Sequence, residues 1–109
     1  MFIYTVRCEF AGDDPDLVTR WLDWMRTIHI VDVLQSGALS AELVRINSDR
    51  PCFEIHYRFE SAGAFACYER DHAPRLRTDS LREFPAELGL SYCRNDAEIV
   101  EQFLKKTVD

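Results

Sequence analysis

Hydrophobic and polar residues alternate along the first ten residues of the chain. One side of this segment carries Phe2, Tyr4, Val6, Cys8 and Phe10, and the other carries Ile3, Thr5, Arg7 and Glu9. A period of two is typical of a β-strand that is buried on one face. The same alternation recurs over residues 52–60, where Phe53, Ile55, Tyr57 and Phe59 share one side. Both segments are therefore predicted to be half-buried strands.

Between these strands the period changes to that of a helix. Asp14 before Pro15 provides an N-cap followed by proline at the first helical position, which favours a helix start at that point. The predicted helix buries one stripe, formed by Leu17, Trp21, Trp24, Ile28 and Val31 and widened by Leu22, Met25 and Val33. Gly37 is typical of the residue that ends a helix.

The remaining segments complete a βαββαβ order. Strands are predicted at residues 39–47 and 88–94, with a turn at residues 48–51 before the strand at residues 52–60. Ser61 caps a second helix, Pro74 interrupts it, and helix resumes over residues 75–84. This order predicts an α+β ferredoxin-like fold, with two helices on one face of a four-stranded antiparallel sheet. We expect a single domain over residues 1–109, with a core of residues 1–95 and a helical C-terminal tail of residues 96–109, whose helical pattern covers residues 97–106.

The second face of such a sheet has nothing in the chain to cover it. It carries Ile3, Val44, Ile46 and Cys93 among charged residues. An uncovered face of mixed character favours a partner, and a homodimer that packs two sheets face to face would bury it. Thr5, Arg7, His56 and Arg58 would then point into the barrel between the two subunits. They could bind an anion there, although pairing with Glu54 and Glu9 across the interface is the simpler interpretation.

Composition and charge exclude several classes of protein. A net charge of −6 and a pI near 5.0 argue against a nucleic-acid-binding protein, since binding phosphates needs a positive surface. The cluster of Arg70, Arg75, Arg77 and Arg82 is interpreted as an exposed helical face. We expect no membrane span and no signal peptide, because no long apolar run occurs. The four cysteines are widely spaced, which indicates reduced thiols in a cytoplasmic protein.

Six aromatic residues with polar ends are expected to converge between the helices and the sheet. They are Tyr4, Trp21, Trp24, Tyr57, Tyr68 and Tyr92. Such a group can hold a flat organic ligand. The alternative is an ordinary core, in which the hydroxyl and indole groups bond to backbone carbonyls.

Two histidines are the candidate catalytic residues. His29 lies in the last third of the first predicted helix, where it can act as a hydrogen-bond donor or a proton shuttle. Alternatively, it caps the helix C-terminus, where a positive charge is stabilising. His72 is the second candidate proton shuttle. No metal site is expected, since the three histidines lack the close spacing of metal ligands, and the few glycines form no phosphate-binding loop that would indicate a cofactor.

Several motifs together resemble a bacterial family, domain-of-unknown-function family 4286. The motifs are Phe2-Ile-Tyr-Thr-Val6, the run from Trp21 to Gly37, Ile55-His-Tyr57, the segment Tyr68–Arg77 and Tyr92-Cys-Arg94. The resemblance covers about residues 1–95. It implies a member of the dimeric α/β-barrel superfamily, whose better-known members include cofactor-independent monooxygenases and muconolactone isomerases.

The expected function follows from this resemblance together with the aromatic group. We expect a cytoplasmic homodimer that binds a small organic ligand in a cleft between helices and sheet. The chain would catalyse a cofactor-free oxidation or isomerisation, as the resemblance implies. The alternative is a non-catalytic scaffold or partner-binding module, which the helical tail and the lack of any nucleophile signature favour.

Overall fold

The chain forms one four-stranded antiparallel sheet in the order β2-β3-β1-β4, according to a computed structural model that describes residues 1–107. The strands are β1 (Phe2–Phe10), β2 (Ser40–Arg45), β3 (Cys52–Phe59) and β4 (Leu90–Glu98). The helices are α1 (Pro15–Trp24), a π-helical turn (Met25–His29), α2 (Ile30–Gln35), α3 (Ala62–Asp71) and α4 (Ala73–Glu83). The βαββαβ order and the ferredoxin-like fold are thus confirmed, with β1 and β3 paired at the centre as predicted.

The aromatic core lies between the helices and one face of the sheet. In the register of β1 and β3, Tyr4 is opposite Tyr57 and Cys8 is opposite Phe53. The Trp21 ring is fully buried, with its centroid 5.4 Å from that of Phe53. The opposite face of the sheet, here called the outer face, is not covered by any helix of residues 1–107.

The first helix differs from its prediction because one of its turns is wider than an α-helical turn. The Ile30 N–H donates to the Met25 carbonyl, five residues back, and this bond defines a π-helix. The extra residue rotates the chain beyond it, so Val33 is buried while Ile28 and Val31 are 50% and 39% exposed. The prediction that Ile28 and Val31 belong to the buried stripe is therefore wrong.

The C-terminal helix predicted for residues 97–106 does not form. Strand β4 continues to Glu98 instead, because β1 offers a free edge along its whole length and Phe2 pairs with Glu98. The Ile99 N–H donates to the Met1 carbonyl at 2.9 Å, and residues 99–107 have no regular structure. A short segment with nothing to pack against gains too little to form a helix. We call residues 99–107 the C-terminal arm; residues 108–109 of the predicted tail lie outside the described part of the chain.

The four cysteines are all free thiols, as their spacing predicts. Cys8 and Cys52 are buried in strands, whereas Cys67 and Cys93 are exposed. None of the helices in residues 1–107 is both long enough and apolar enough to cross a bilayer.

Candidate ligand site between the helices and the sheet

A small cavity lies where the helices meet the centre of the sheet. Its walls include the predicted residues Tyr4, His29, Tyr57, Tyr68 and Tyr92. Its volume is about 20 Å³, which is room for a single water molecule. Ligand pockets usually measure about 300–1,000 Å³. The aromatic side chains therefore fill most of the space that the expected cleft would occupy.

Tyr57 contributes an unusual polar group to this cavity. Its ring is 1% exposed, and its hydroxyl is the only buried side-chain nitrogen or oxygen without a hydrogen-bond partner in the described part of the chain. Burial raises the pKa of Tyr57 well above its ordinary value, with Tyr68 and Tyr4 adding to the effect, so the hydroxyl stays protonated. An unpaired buried hydroxyl costs free energy, and a ligand or water oxygen that bonded to it would recover that cost.

Arg77 extends from α4 to the hydroxyl of Tyr4. Its Nη2 lies 3.3 Å from the Tyr4 hydroxyl oxygen and 2.9 Å from Oε1 of Glu69. Arg77 also lines the cavity, so it is not part of the exposed arginine face predicted from the sequence. That face is formed by Arg70, Arg75 and Arg82, which are exposed and pair with nearby aspartates. Arg77 therefore places a positive charge beside the tyrosines.

His29 belongs to the π turn and stacks on Trp24, with ring centroids 5.0 Å apart. Burial lowers the pKa of His29 to about 4, against the weaker opposing effect of Asp32, so the ring is neutral at pH 7. The helix continues into α2 beyond His29, and the ring is uncharged. The alternative role as a positively charged C-terminal cap is therefore wrong.

Trp21 and Tyr92 connect the first helix to β4 beside the cavity. The indole Nε1 of Trp21 donates to the Tyr92 hydroxyl at 3.1 Å, and burial raises the pKa of Tyr92 to about 12. The guanidinium of Arg94 lies 5.5 Å from the centre of the Tyr92 ring. Tyr92 and Arg94 face the helices together because they are two residues apart on one strand.

The structure brings only some of the predicted site residues together. Tyr4, Tyr57, Tyr68 and His29 line the cavity, whereas Trp21 and Trp24 pack beside it. His72 lies at the junction of α3 and α4 and is not among the residues that line the cavity. The catalytic roles proposed for His29 and His72 remain predictions.

Sequence reasoning missed three polar residues of the cavity wall. They are Arg77, Ser80 and Arg94. The spacing of Ala73, Leu76 and Ser80 would have placed Arg77 next to the buried side of α4, and the alternation along β4 would have placed Arg94 beside Tyr92.

The four residues predicted to face the barrel lie on the outer face of the sheet. Thr5 is opposite His56, and Ile3 is opposite Arg58. Arg7 pairs with Glu9 and with Glu54, both at 3.0 Å, while His56 Nε2 lies 2.8 Å from Glu54. The hydrogen bond with His56 lowers the pKa of Glu54, although burial opposes the shift. These pairs form within one chain, whereas the pairing expected from the sequence lies across the subunit interface and stays a prediction.

No group of three or more histidine, cysteine, aspartate or glutamate side chains gathers into a possible metal site within residues 1–107.

Solved structures with the same fold give the first comparison. A dimeric ferredoxin-like protein from an uncultured marine organism has a TM-score of 0.70 at 13% identity, covering 95% of this chain and 98% of its own. A putative antibiotic biosynthesis monooxygenase from Deinococcus radiodurans also has a TM-score of 0.70, at 14% identity, with 98% and 100% covered. A structure of MhuD with two manganese protoporphyrin IX molecules bound per active site has a TM-score of 0.58 at 16% identity, with 96% and 100% covered. At these identities the similarity shows the fold alone.

Sequence comparison gives the family. No curated protein matches this chain significantly. A family described as a domain of unknown function, DUF4286, matches residues 1–91. This match covers most of the chain; it includes β1, β2 and β3 but only the first two residues of β4, so the cavity residues Tyr92 and Arg94 lie beyond it. The chain therefore belongs to the DUF4286 family.

Proposed function

We propose that the protein binds a small organic molecule in the cavity between the helices and the sheet, and that a hydroxyl or carbonyl oxygen of this molecule bonds to Tyr57. The observation that carries the proposal is the Tyr57 hydroxyl, which is buried at the cavity and has no hydrogen-bond partner in the chain as far as Thr107. Buried polar groups are normally paired, and unpaired ones are typical of sites completed by a ligand or an ordered water.

Binding requires the cavity to widen, and the π turn is the element that can move. Met25 and His29 line the cavity and form the two ends of this turn. A π turn holds its extra residue at a cost, and such turns are frequent at functional sites. A shift of its hydrogen bonds would move both side chains without unfolding α1 or α2.

The polar groups around the cavity suit a ligand with an acidic oxygen. Tyr57 would donate a hydrogen bond, while the guanidinium groups of Arg77 and Arg94 would stabilise negative charge on the ligand. Neutral His29 would accept a proton, and an anionic ligand beside it would raise its low pKa toward the range in which it is an effective base. Removal of a proton from the ligand is the first step of an isomerisation, and also of a cofactor-free oxidation in which dioxygen is the oxidant. The proposed activity therefore begins with the transfer of a proton from the ligand to His29.

The same proposal makes the protein a homodimer that joins the outer faces of two sheets. The support is the uncovered outer face with Ile3 and Val44 among its polar groups, and a structural neighbour described as dimeric. The scaffold alternative was motivated by a helical tail and by the lack of any nucleophile signature, and residues 99–107 of that tail form no helix. The ligand-binding proposal therefore has more support.

A matched pair of ligands tests the proposal. We expect 1-naphthol to bind and to quench tryptophan fluorescence, because its hydroxyl can pair with Tyr57, whereas naphthalene should bind at least about tenfold more weakly. In Tyr57→Phe the two affinities should become equal within about twofold. Calorimetric titration measures both. If 1-naphthol fails to bind up to its solubility limit, or if Tyr57→Phe leaves its affinity unchanged, the proposed site is wrong.

A further inference from the structure

The C-terminal arm carries apolar side chains that the chain itself does not cover. Val100, Phe103 and Leu104 are 95%, 82% and 82% exposed, the highest values among the large apolar residues of the described chain. An exposed apolar segment of this kind is typical of a surface that binds another protein. Lys105 and Lys106, the only lysines of the protein, follow directly after Leu104.

A groove with an apolar lining, which could receive the apolar side chains of the arm, lies at the opposite end of the sheet. It has a volume of about 560 Å³ and lies between the β2–β3 turn and the adjoining ends of β1 and β4; we call it the hairpin groove. Phe10, Ala11, Pro51 and Leu90 give it an apolar lining. Its charged residues are Glu9, Asp49 and Arg50. Glu9, Cys52 and Ser91 reach it from the outer face, so the groove is continuous with the surface proposed for dimerisation.

The arm cannot place Phe103 in the groove of its own chain. Glu98 pairs with Phe2, and the groove begins at Glu9, about 24 Å away along β1. Phe103 follows Glu98 by five residues, and even a fully extended chain of that length spans only about 17 Å. An arm that fills the groove must therefore come from a second copy of the chain.

A two-fold axis perpendicular to the strands brings the two features together. It places the Glu98 end of each sheet over the Phe10 end of its partner, and sheets packed face to face lie about 10 Å apart. The arm is long enough to cross that distance. The charges also agree, since Lys105 and Lys106 would approach a groove whose rim carries Glu9 and Asp49 against the single Arg50.

We infer that the two subunits exchange their C-terminal arms, with Phe103 and Leu104 of each subunit inserted into the hairpin groove of the other. This inference rests on the proposed homodimer. It adds the contact that sets the direction of the two-fold axis relating the two subunits. The exchange covers the exposed apolar residues of the arm and fills both grooves. It also gives the basic residues of the arm a defined partner.

Truncation and charge reversal test the exchange by sedimentation equilibrium. Removal of residues 99–109, and separately Phe103→Asp with Leu104→Asp, should each raise the dimer dissociation constant by at least about tenfold. Lys105→Glu with Lys106→Glu should weaken the dimer by about threefold or more, and Asp49→Lys in the same chain should restore it. Ile28→Asp is the control, since Ile28 is exposed on the helical side of the molecule.

Cross-linking identifies which chain the arm contacts. In a chain with Cys67→Ser and Cys93→Ser, Leu104→Cys on one tagged copy and Ser91→Cys on a differently tagged copy should form a disulfide between the two tags. A dimer whose dissociation constant changes by less than about twofold on truncation would overturn the arm exchange and leave the homodimer standing. A protein that is monomeric at every concentration would overturn both.

Discussion

Two tyrosine hydroxyls at the cavity differ in whether they have a partner. The Tyr92 hydroxyl accepts a hydrogen bond from Trp21, whereas the Tyr57 hydroxyl has no partner within residues 1–107. We therefore expect Tyr57→Phe to raise the free energy of unfolding by about 1 kcal/mol, because it removes an unpaired polar group. Tyr92→Phe should lower it by about 1 kcal/mol, since it leaves the Trp21 indole unpaired. Urea unfolding of the two variants measures both effects; a loss of stability in Tyr57→Phe would contradict this account.

His29 makes stability depend on pH. Its pKa is about 4 in the folded protein and near 6.5 in an unfolded chain, so the unfolded state binds more protons between these values. Stability should therefore rise as pH increases from about 4 to 6.5, by up to about 3 kcal/mol, and then level off. Urea unfolding across this range measures the slope.

The variant His29→Gln isolates this contribution from that of the carboxylates. Glutamine keeps a polar side chain of similar length but does not titrate, so the variant should lose most of the rise between pH 4 and 6.5. His72→Gln is the matched control and should retain the slope of the native protein. An identical slope in His29→Gln and the native protein would show that the His29 ring is not held neutral.

At the level of the secondary-structure elements, the π turn is a single-residue insertion in an otherwise α-helical segment. Thr27 is exposed within this turn, so its deletion should convert the turn to α-helix. We expect this deletion to lower the free energy of unfolding by less than about 1 kcal/mol. Deletion of Thr19 is the control, because it lies in regular α-helix and would rotate Leu17 and Val18 away from the core. Deletion of Thr19 should lower the free energy of unfolding by more than about 3 kcal/mol. Thermal and urea unfolding compare the stabilities of the two deletion variants. Equal losses of stability would contradict the interpretation of the π turn as a single-residue insertion.

The Thr27 deletion also tests the proposed opening of the cavity. Without the extra residue, Met25 and His29 can no longer shift by exchanging π-helical for α-helical hydrogen bonds. We expect 1-naphthol to bind at least about tenfold more weakly to this variant than to the native protein. Unchanged affinity, measured by calorimetric titration, would show that another element widens the cavity.

At the scale of the whole molecule, the proposed homodimer would bury the outer face. Ile3 lies on this face opposite Arg58, so Ile3→Glu gains an oppositely charged neighbour within the subunit and should change its stability by less than about 0.5 kcal/mol. In the homodimer the same carboxylate would be buried and should weaken association by at least about a hundredfold. Light scattering after size exclusion measures this effect. Ile28→Glu on the helical side is the matched control and should stay dimeric.

The strands and their faces were predictable from the sequence, because alternation over nine or so residues leaves one arrangement in which one face is buried. The pairs Tyr4–Tyr57 and Cys8–Phe53 follow from that alternation and the βαββαβ order. His29 and the four cavity tyrosines could be found in the same way. Their side chains follow the period of the element that carries them.

Three features were decided only by the tertiary structure. The π turn depends on how the helix packs against the sheet. A fixed helical period of 3.6 residues therefore placed Ile28 and Val31 on the buried side, although both are exposed. Residues 97 and 98 joined β4 because β1 offered unpaired backbone groups there, a non-local contact that outweighed a local helical pattern. The unpaired Tyr57 hydroxyl is a property of the packed core as a whole. A sequence specifies which face of an element is apolar, but the partners of each polar group are fixed only when the elements pack together.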